Sequence, residues 1–425
     1  MGKLVIGKPY ILEKGSQIKL CANININEEK HVLYYEIDKI YKEYLCSERS
    51  DAFLISLIQY AMANNLNIIW NTPVTERLEY QLRTIFIPVI SERFQDLFHS
   101  ISLSGPVISE PVHKKLHAVG TGASGGVDSF YSVIKHLEIP EKSFELTHLF
   151  YAAISNDVTS EENLREDFED SYAITKAIAQ DLGFPVIKLF SNESEYYFKG
   201  IINWGAMRFA GMIYALQRLF STYYFSSGYP YVDITFGHKE KGINFDAHHF
   251  DLFTLMVVST ENITFIGTGG EIKRSEKLKI IEKSKIVKKH LFVCNYNKNK
   301  NCSSCDKCLR TMMQLYTDGC LEEYRDVFDL DKFQRAQNRY IRKMLYRQSI
   351  YDIEIIQSMK ANQVKIPVYL KISAFFIRPV YVIWQKIKDI KWIMTIFYQF
   401  HFDYFLYGKK MANSLRYAKG IPRKK

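Results

Sequence analysis

Two hydrophobic periodicities alternate along the first part of the chain. Alternating apolar and polar positions, or short apolar runs, predict strands at QIKLCANINI, HVLYYEI and LNIIW. Helical spacing of apolar positions predicts helices in SDAFLISLIQYAMANN and TERLEYQLRTIF. This mixture predicts a small α+β module over residues 1–112, with a structural or substrate-shaping role, since it holds no recognisable set of catalytic residues.

Between residues 113 and 325, short apolar runs take turns with helical segments. The runs that predict strands are LHAVGTG, LTHLFYAAI and PVIKLF, and the segments that predict helices are DSFYSVIKHL, SYAITKAIAQDLG and WGAMRFAGMIYALQRLF. Strands separated by helices of this length indicate βαβ units, so the sequence predicts an α/β fold with a doubly wound parallel sheet. Ligands of such sheets bind beyond the carboxyl ends of the strands, and a glycine-rich turn follows the first strand here.

The last segment, residues 326–425, has a different pattern. Apolar residues recur at helical spacing over residues 372–394, with Pro379 as an expected kink, and basic residues fall between them. Residues 331–425 carry 20 Lys and Arg against 5 Asp and Glu, whereas residues 1–330 carry 36 against 41. We therefore predict a basic amphipathic helical tail, which either packs on the rest of the protein or lies on an anionic membrane surface.

Composition limits the class of protein. With 47% hydrophobic and 24% charged residues in a chain of 425, the sequence predicts a globular protein of two or three domains rather than a disordered chain. The first residues hold no continuous apolar stretch of the secretory type, and charges interrupt the apolar stretch in the tail. We expect a cytoplasmic protein that can make peripheral membrane contact through its tail.

The glycine turn after the first strand of residues 113–325 contains two overlapping motifs. Gly120, Gly122 and Gly125 form a G-x-G-x-x-G pattern, which in dinucleotide-binding folds lies against a pyrophosphate and needs an acidic residue after the second strand. Asp157 is poorly placed for that role, so dinucleotide binding is kept as the second interpretation. A Walker phosphate loop is excluded, because no lysine follows the last glycine of its pattern.

The second motif is S-G-G-V-D-S, placed between the strand and the helix. Paired glycines let backbone N–H groups face an anion, and the helix directs its N-terminal partial positive charge towards it. Such a pocket suits a leaving pyrophosphate, and therefore transfer of AMP from ATP. We predict that Asp128 and Ser129 are catalytic, and that Asp128 orients the turn or helps to hold Mg²⁺. The predicted ATP-binding residues are Ser124, Gly125, Gly126, Val127, Asp128 and Ser129.

This stretch resembles the signature of the PP-loop ATP pyrophosphatase superfamily, which has S-G-G-x-D-S at the end of the first strand of a doubly wound sheet. The resemblance covers about residues 115–315. It implies that ATP is split between its α and β phosphates, that an acceptor oxygen is adenylated, and that ammonia, an amine or sulfur then displaces AMP. It does not identify the acceptor.

Four cysteines form the second group of candidate functional residues. They have the spacing C-x7-C-x2-C-x2-C on a loop rich in Lys and Asn. Four thiolates occupy all four coordination positions of a tetrahedral ion and leave none for water, so we predict a structural Zn²⁺ site. An iron–sulfur cluster remains an alternative, because C-x2-C-x2-C spacing also ligates clusters. The predicted ligands are Cys294, Cys302, Cys305 and Cys308.

The order and spacing of the two motifs resemble the 7-cyano-7-deazaguanine synthase family of the queuosine pathway, which turns a carboxylate into an amide and then a nitrile with ATP and ammonia. This resemblance implies an AMP-forming carbon–nitrogen ligase that acts on a small-molecule carboxylate, with ammonia or an amine as donor and a structural zinc. The segment GGEIKRSEKLKII resembles the family's segment before its zinc site. By that resemblance Lys277 approaches the phosphates and is catalytic, with Glu276 as an acidic partner; a solvated surface lysine is the open alternative.

The chain departs from that family in its length and in one region. About 110 residues precede the glycine turn and about 100 follow the cysteines. Residues 236–256 do not match the family's base-recognition region, so the acceptor need not be a deazapurine. His248, His249 and Asp251 are candidates for contacts with the acceptor, with a structural role as the alternative.

Other functions stay open at this stage. A PP-loop sulfur transferase that modifies tRNA would use the cysteines for a cluster or persulfide, and the basic tail to bind RNA. A third alternative is not an enzyme: a membrane-docked nucleotide-binding partner of a larger assembly, and the tail is the feature on which it rests. The sequence does not determine the oligomeric state, although a homodimer is compatible with it.

Overall fold

A computed structural model describes residues 2–152, 154, 161–197, 205–234 and 247–387 of the chain. The described residues form two compact units. The first contains the residues up to Cys302 together with Asp326–Phe328, and the second contains Ser303–Arg325 and the residues from Asp329 onwards.

The strands all belong to the first unit. They are β1 (Gly2–Ile6), β2 (Tyr10–Lys14), β3 (Gln17–Ile26), β4 (Glu29–Asp38), β5 (Leu66–Trp70), β6 (Val74–Thr75), β7 (Leu103–Ser104), β8 (Val107–Ile108), β9 (Ala118–Gly122), β10 (His148–Ala152), β11 (Val186–Ser191), β12 (Phe220–Ser226) and β13 (Thr264–Thr268).

Of the α-helices in the described residues, the first nine belong to the first unit and the last four to the second. They are α1 (Asp51–Ala63), α2 (Glu76–Gln81), α3 (Ile87–Arg93), α4 (Val127–His136), α5 (Glu161–Leu182), α6 (Gly205–Tyr214), α7 (Asp251–Val258), α8 (Arg274–Ile281), α9 (Lys285–His290), α10 (Asp306–Thr317), α11 (Leu330–Arg347), α12 (Ile350–Ala361) and α13 (Val368–Ile387). A π-helical turn, Leu82–Phe86, joins α2 to α3.

An eleven-stranded sheet forms the centre of the first unit, in the order β13-β12-β9-β10-β11-β4-β3-β1-β5-β7, with β2 paired to β3. The five strands from β9 to β13 are mutually parallel. The chain moves outwards from β9 through β10 to β11, and then returns to the other side of β9 for β12 and β13. The protein is therefore an α/β fold with a mostly parallel central sheet. The direction in which successive strands are added to the sheet reverses at β9.

The amino-terminal strands are part of the same sheet. Strand β4 pairs antiparallel with β11, through Glu36 with Phe190 and Tyr35 with Ser191, and one hydrophobic core contains side chains from both sequence segments. Helices α1 and α6 approach closely at Gly211, where a Cβ atom would lie 2.1 Å from the Ser56 hydroxyl oxygen. The predicted boundary at 112/113 thus lies inside one unit, and whether 1–112 and 113–325 fold separately stays a prediction.

Most predicted elements of the first unit are confirmed, but the strands after α6 were not predicted. The predicted strands correspond to β3, β4, β5, β9, β10 and β11. Helix α6 ends at Tyr214, earlier than the apolar periodicity indicates, and β12 begins at Phe220. This strand is buried on both faces in the parallel sheet, so its apolar run has no period that separates it from the helix before it.

The second unit consists of helices α10 to α13. Asp306 at the start of α10 accepts hydrogen bonds from Lys343 (2.7 Å) and Arg347 (2.7 Å) of α11, and Arg347 also contacts the buried Asp352 of α12. Pro379 lies inside α13, and the kink expected there stays a prediction. Among the described residues, no helix is both long and apolar enough to cross a membrane.

Candidate functional site

The glycine turn lies between β9 and α4, as the sequence predicts. Gly125 has a φ of +78°, in the left-handed region that favours glycine. A Cβ atom there would lie 3.0 Å from a methyl group of Ile174 and 3.1 Å from the carbonyl oxygen of His290. The turn therefore requires glycine at this position for two reasons, its backbone conformation and the close approach of its neighbours.

Hydrogen bonds from distant segments fix the backbone of the turn. The Thr175 hydroxyl of α5 donates to the carbonyl of Ala123 over 2.9 Å, and the Phe292 amide donates to the carbonyl of Gly125 over 2.8 Å. Inside the turn, the Ser129 hydroxyl donates to the Gly126 carbonyl and accepts from Ser124, each over 3.1 Å. The backbone of the turn is thus fixed by α5, by Phe292 and by its own serine hydroxyls.

Helix α4 begins directly after the turn, with Gly126 at its N-cap. Glycine has no side chain to accept the first N–H groups of the helix, so those donors are directed to the space in front of the turn. Val127, another predicted binding residue, is buried, and it can contribute only its backbone. The predicted binding residues are therefore brought together in one place, as backbone donors and two serine hydroxyls.

Asp128 is the charged residue of the turn, and two cations hold it. Lys277 Nζ donates to Asp128 Oδ1 over 2.9 Å, and the Arg274 guanidinium donates to Oδ2. Lys277 is 1% exposed, which rules out the solvated surface lysine. Burial by itself raises the pKa of Asp128, but Arg274 and Lys277 outweigh burial, so this pKa lies below its usual value.

Lys277 reaches Asp128 from beside the ends of two other strands. Its ammonium group also donates to the Ser227 carbonyl over 2.7 Å, directly after β12. Gly269, directly after β13, has a φ of +85°, and a Cβ atom on it would lie 3.1 Å from Lys277 Nζ. The carboxyl ends of the adjacent strands β9, β12 and β13 thus meet at one carboxylate and two basic side chains, those of Asp128, Lys277 and Arg274.

Glu271 forms a second charged group at the same edge of the sheet. Its carboxylate accepts from the Tyr131 hydroxyl over 2.8 Å and from the Lys135 ammonium, both on α4. Partial burial works to raise the pKa of Glu271, but the hydrogen bonds from Lys135 and Tyr131 outweigh it and lower this pKa to about 2. Glu276, the predicted acidic partner, is instead exposed and accepts from the Lys273 amide at the start of α8 (3.3 Å).

The first two glycines of the G-x-G-x-x-G pattern belong to strand β9 rather than to a turn. A Cβ atom on Gly120 would lie 2.5 Å from the ring of Phe220 on β12, so this glycine lets two neighbouring strands pack together. Asp157, the acidic residue that dinucleotide binding would use, lies outside the described residues.

The residues predicted to contact the acceptor lie beyond the end of β12. His248 Nδ1 and Asp251 Oδ2 are 2.8 Å apart, and the ring of His249 stacks on Tyr229 with centroids 4.9 Å apart. The backbone carbonyl of Tyr229 accepts from the Ser227 hydroxyl over 2.8 Å. Because Lys277 bonds the carbonyl of Ser227, these histidines are linked to the Asp128 cluster through one short loop.

The four predicted cysteine ligands lie together. Their sulfur atoms are all within 4.8 Å of one another, and none of them forms a disulfide. In a tetrahedral site with Zn–S bonds of about 2.3 Å, neighbouring sulfurs are about 3.8 Å apart. The observed cluster therefore has the size and donor set of a site that can hold a metal such as zinc.

Backbone amides support this cysteine cluster. The amides of Tyr296 and Asn297 each donate to Cys294 Sγ over 3.3 Å, and the amide of Cys308 donates to Cys305 Sγ over 3.4 Å. Such donors stabilise thiolates, the form in which cysteine binds metal. The chemistry of the donor set thus fits a resident cation.

Asn301 closes the loop that carries the first cysteine. Its side-chain amide donates to the carbonyls of Leu291 (2.8 Å) and Val327 (3.0 Å), and its oxygen accepts from the Val293 amide (2.9 Å). Phe292, which holds Gly125, lies inside this closed loop. The cysteine segment and the glycine turn are therefore joined by a direct hydrogen bond.

Arg274, Glu271 and Ser227 are the parts of the site that the sequence did not predict. Arg274 is 146 positions from Asp128, and no local spacing relates such positions. Arg274 does lie three residues before Lys277, one helical turn away, so the assignment of Lys277 to a helix could have indicated a second cation on the same face.

Comparisons of the chain with models of known protein families, with curated protein sequences and with solved structures find no match. The chemistry of the site must therefore be inferred from its own residues.

Proposed function

We propose that the chain is an AMP-forming ATP pyrophosphatase of the PP-loop type, which adenylates a small-molecule carboxylate and passes the acyl group to ammonia or an amine. The observation that carries this proposal is the contact of Asp128 with Lys277 and Arg274 directly in front of a glycine turn at a helix N-terminus. Backbone donors and two fixed cations provide a site for a polyanion, and the turn provides the close approach.

The proposed role of Asp128 is to position its two cations rather than to react. In the free protein its carboxylate forms ion pairs with both side chains, which offsets the cost of burying Lys277. When a triphosphate binds, Lys277 and Arg274 can each donate some of their hydrogen bonds to the β and γ phosphates instead of to Asp128. That interaction strengthens as charge develops on the departing pyrophosphate, which is what lowers the barrier.

The glycine turn, Lys277 and Arg274 together form what we call the phosphate cradle. Ser124 and Ser129 complete it. Their hydroxyl groups already bond each other, so a phosphate oxygen needs only a rotation of the exposed Ser124 hydroxyl to be contacted. No side-chain nucleophile is required, since the acceptor carboxylate attacks the α phosphorus itself. Catalysis then rests on orientation and electrostatic stabilisation.

The strand order supports this placement. In open parallel sheets, ligands bind where the chain reverses its direction of winding, at the carboxyl ends of the strands. Strand β9 is that point here, and the doubly wound arrangement of PP-loop proteins is the finer description that we propose for this sheet. The acceptor is expected beside β12, near His248 and Tyr229.

The metals have separate proposed roles. Cys294, Cys302, Cys305 and Cys308 would hold a zinc ion that keeps the loop containing Phe292 in the shape that supports Gly125. Mg²⁺ is expected to accompany the phosphates of ATP. As arranged here, Asp128 fits Mg²⁺ poorly, because a divalent cation would lie beside two positive side chains. A site of four reduced thiolates and a reaction that consumes ATP both suit the cytoplasm, where we expect the protein to act.

Incubation with ATP, ammonium and a panel of carboxylic acids tests the proposal. Mass spectrometry should detect AMP together with the amide or nitrile of one acid, and metal analysis should find one zinc per chain. Iron with visible absorbance and sulfur transfer to RNA would favour the tRNA-modifying alternative, and ATP binding without any cleavage would favour the non-enzymatic one.

A further inference from the structure

Helix α13 carries two apolar stripes, and in the described part of the chain one of them packs against its own unit while the other is exposed. Leu370 and Ala374 are each 3% exposed, and Tyr381 further along the helix lies against Tyr346 of α11, with ring centroids 5.3 Å apart. This inner stripe follows helical spacing and accounts for the attachment of α13 to its own unit.

The outer stripe is exposed. Its members recur at three- and four-residue intervals, and their exposed fractions are far above those of core residues: Ile372 55%, Phe376 71%, Val380 68% and Ile383 57%, with Phe375 beside them at 73%. Single exposed apolar side chains are ordinary, but a continuous stripe over three helical turns indicates a surface that is covered in use.

The charges on this helix identify what covers it. From residue 365 to residue 387 every charged side chain is basic, namely Lys365, Lys371, Arg378 and Lys386. Lys371 and Arg378 are seven residues apart, and therefore lie on one side of the helix, along the edge of the exposed stripe. An apolar stripe bordered by cations is complementary to a surface with an apolar interior and an anionic boundary.

The sequence after residue 387 has a similar composition. Eight Phe, Tyr and Trp residues occur between Lys391 and Lys409, and residues 388–425 carry 9 Lys and Arg against 2 Asp and Glu. Aromatic residues flanked by lysines are typical of segments at the boundary between lipid headgroups and acyl chains.

We propose that the outer face of α13, centred on Phe375 and Phe376, docks on an anionic membrane surface. The helix lies along the surface, with its aromatic side chains among the acyl chains and Lys371 and Arg378 among the headgroups. A second copy of the chain is the less suitable occupant, because two identical faces would bring basic edges of the same sign together. This inference is independent of whether the chain cleaves ATP.

Sedimentation of the full chain with lipid vesicles tests the proposal. The protein should sediment with phosphatidylcholine vesicles that contain phosphatidylserine, less with phosphatidylcholine alone, and less at high salt. The double variant Phe375→Gln/Phe376→Gln should lower the partition coefficient about tenfold or more. The matched control is Ile350→Gln/Ile353→Gln on α12, which changes two exposed apolar residues (46% and 42% exposed) away from α13 and should bind as the unchanged chain does.

A charge variant separates the two contributions. Lys371→Gln/Arg378→Gln should lower binding to the anionic vesicles by about 30-fold and weaken the salt dependence, since each cation contributes about 1 kcal/mol near such a surface and about 1.4 kcal/mol is a factor of ten. Failure of the unchanged chain to bind anionic vesicles, or equal binding by the Phe375→Gln/Phe376→Gln variant, overturns the proposal. A dimer in solution that this variant dissociates would assign the face to a second copy instead.

Discussion

The glycine turn and the cysteine loop are both short motifs, but they reach their geometry in different ways. The six residues of the turn are held by side chains and amides far away in sequence, including Lys277, Arg274 and Phe292. The cysteine loop takes its ligands and its closing residue Asn301 from one continuous segment. The turn is therefore organised by the folded chain, whereas four clustered thiolates depend on a cation to offset their repulsion.

This difference implies effects of unequal size. Because the Phe292 amide bonds the Gly125 carbonyl, a disordered cysteine loop removes one support of the turn. Loss of the metal should therefore weaken ATP binding. A damaged turn should lower the metal affinity by the same coupling free energy, which is too small beside the affinity of four thiolates for zinc to change the zinc content.

The largest effect is expected from the double variant Cys305→Ser/Cys308→Ser. It removes two ligands, so the protein should lose its zinc and about 4 kcal/mol or more of its free energy of unfolding. ATP affinity should fall as well, measured by calorimetry under conditions where the variant remains folded. Cys320→Ser, outside the cluster, is the control. Unchanged zinc content in the double variant would contradict the assignment of ligands.

Lys277→Met should lower the rate of AMP formation by about 10²–10³-fold, because it removes one of the two cations from the proposed phosphate site. Zinc content should stay at one per chain. Lys135→Met, which removes the partner of Glu271 on the same side of the sheet, should change the rate far less. Equal losses in the two variants would mean that general charge, rather than the contact with Asp128, controls the site.

Gly125→Ala should weaken ATP binding and destabilise the fold by about 2 kcal/mol, since alanine costs 1–2 kcal/mol at a left-handed φ and also meets the neighbours of the turn. Gly183→Ala is the matched control: its φ is +71°, but a Cβ atom there would meet nothing within 4 Å. It should cost about 1 kcal/mol and leave ATP affinity unchanged. An identical loss of affinity in both would show that strain alone, and not the cradle, matters.

The smallest effect concerns pH. The pKa of Glu271 is about 2 in the folded protein and 4.5 in a free side chain, so its contribution to stability is present above about pH 4.5 and is lost as the pH falls towards 2. Since this carboxylate is 38% exposed, that contribution should stay below about 1 kcal/mol. Urea titrations at several pH values should show a shallower acid limb for Glu271→Gln. A change in zinc content in that variant would contradict the separation of the two regions.

The sequence predicted what is local and missed what is distant. The glycine turn and the cysteine spacing each lie within a few residues, so their placement could be predicted, as could the strands and helices with clear periods. The pairing of β4 with β11 and the contact of Arg274 with Asp128 could not, because each joins segments that no spacing relates. The exposed stripe of α13 has the same helical period as its packed stripe, so periodicity alone could not show which one faces solvent.

Nucleotide product analysis tests the cradle most directly. If the turn holds a departing pyrophosphate, the zinc-loaded chain supplied with ATP and a competent acid should release AMP and pyrophosphate in equal amounts, and Lys277→Met should abolish most of this release while keeping its zinc. Release of ADP and inorganic phosphate, or no measurable affinity of the zinc-loaded chain for ATP, would contradict the assignment.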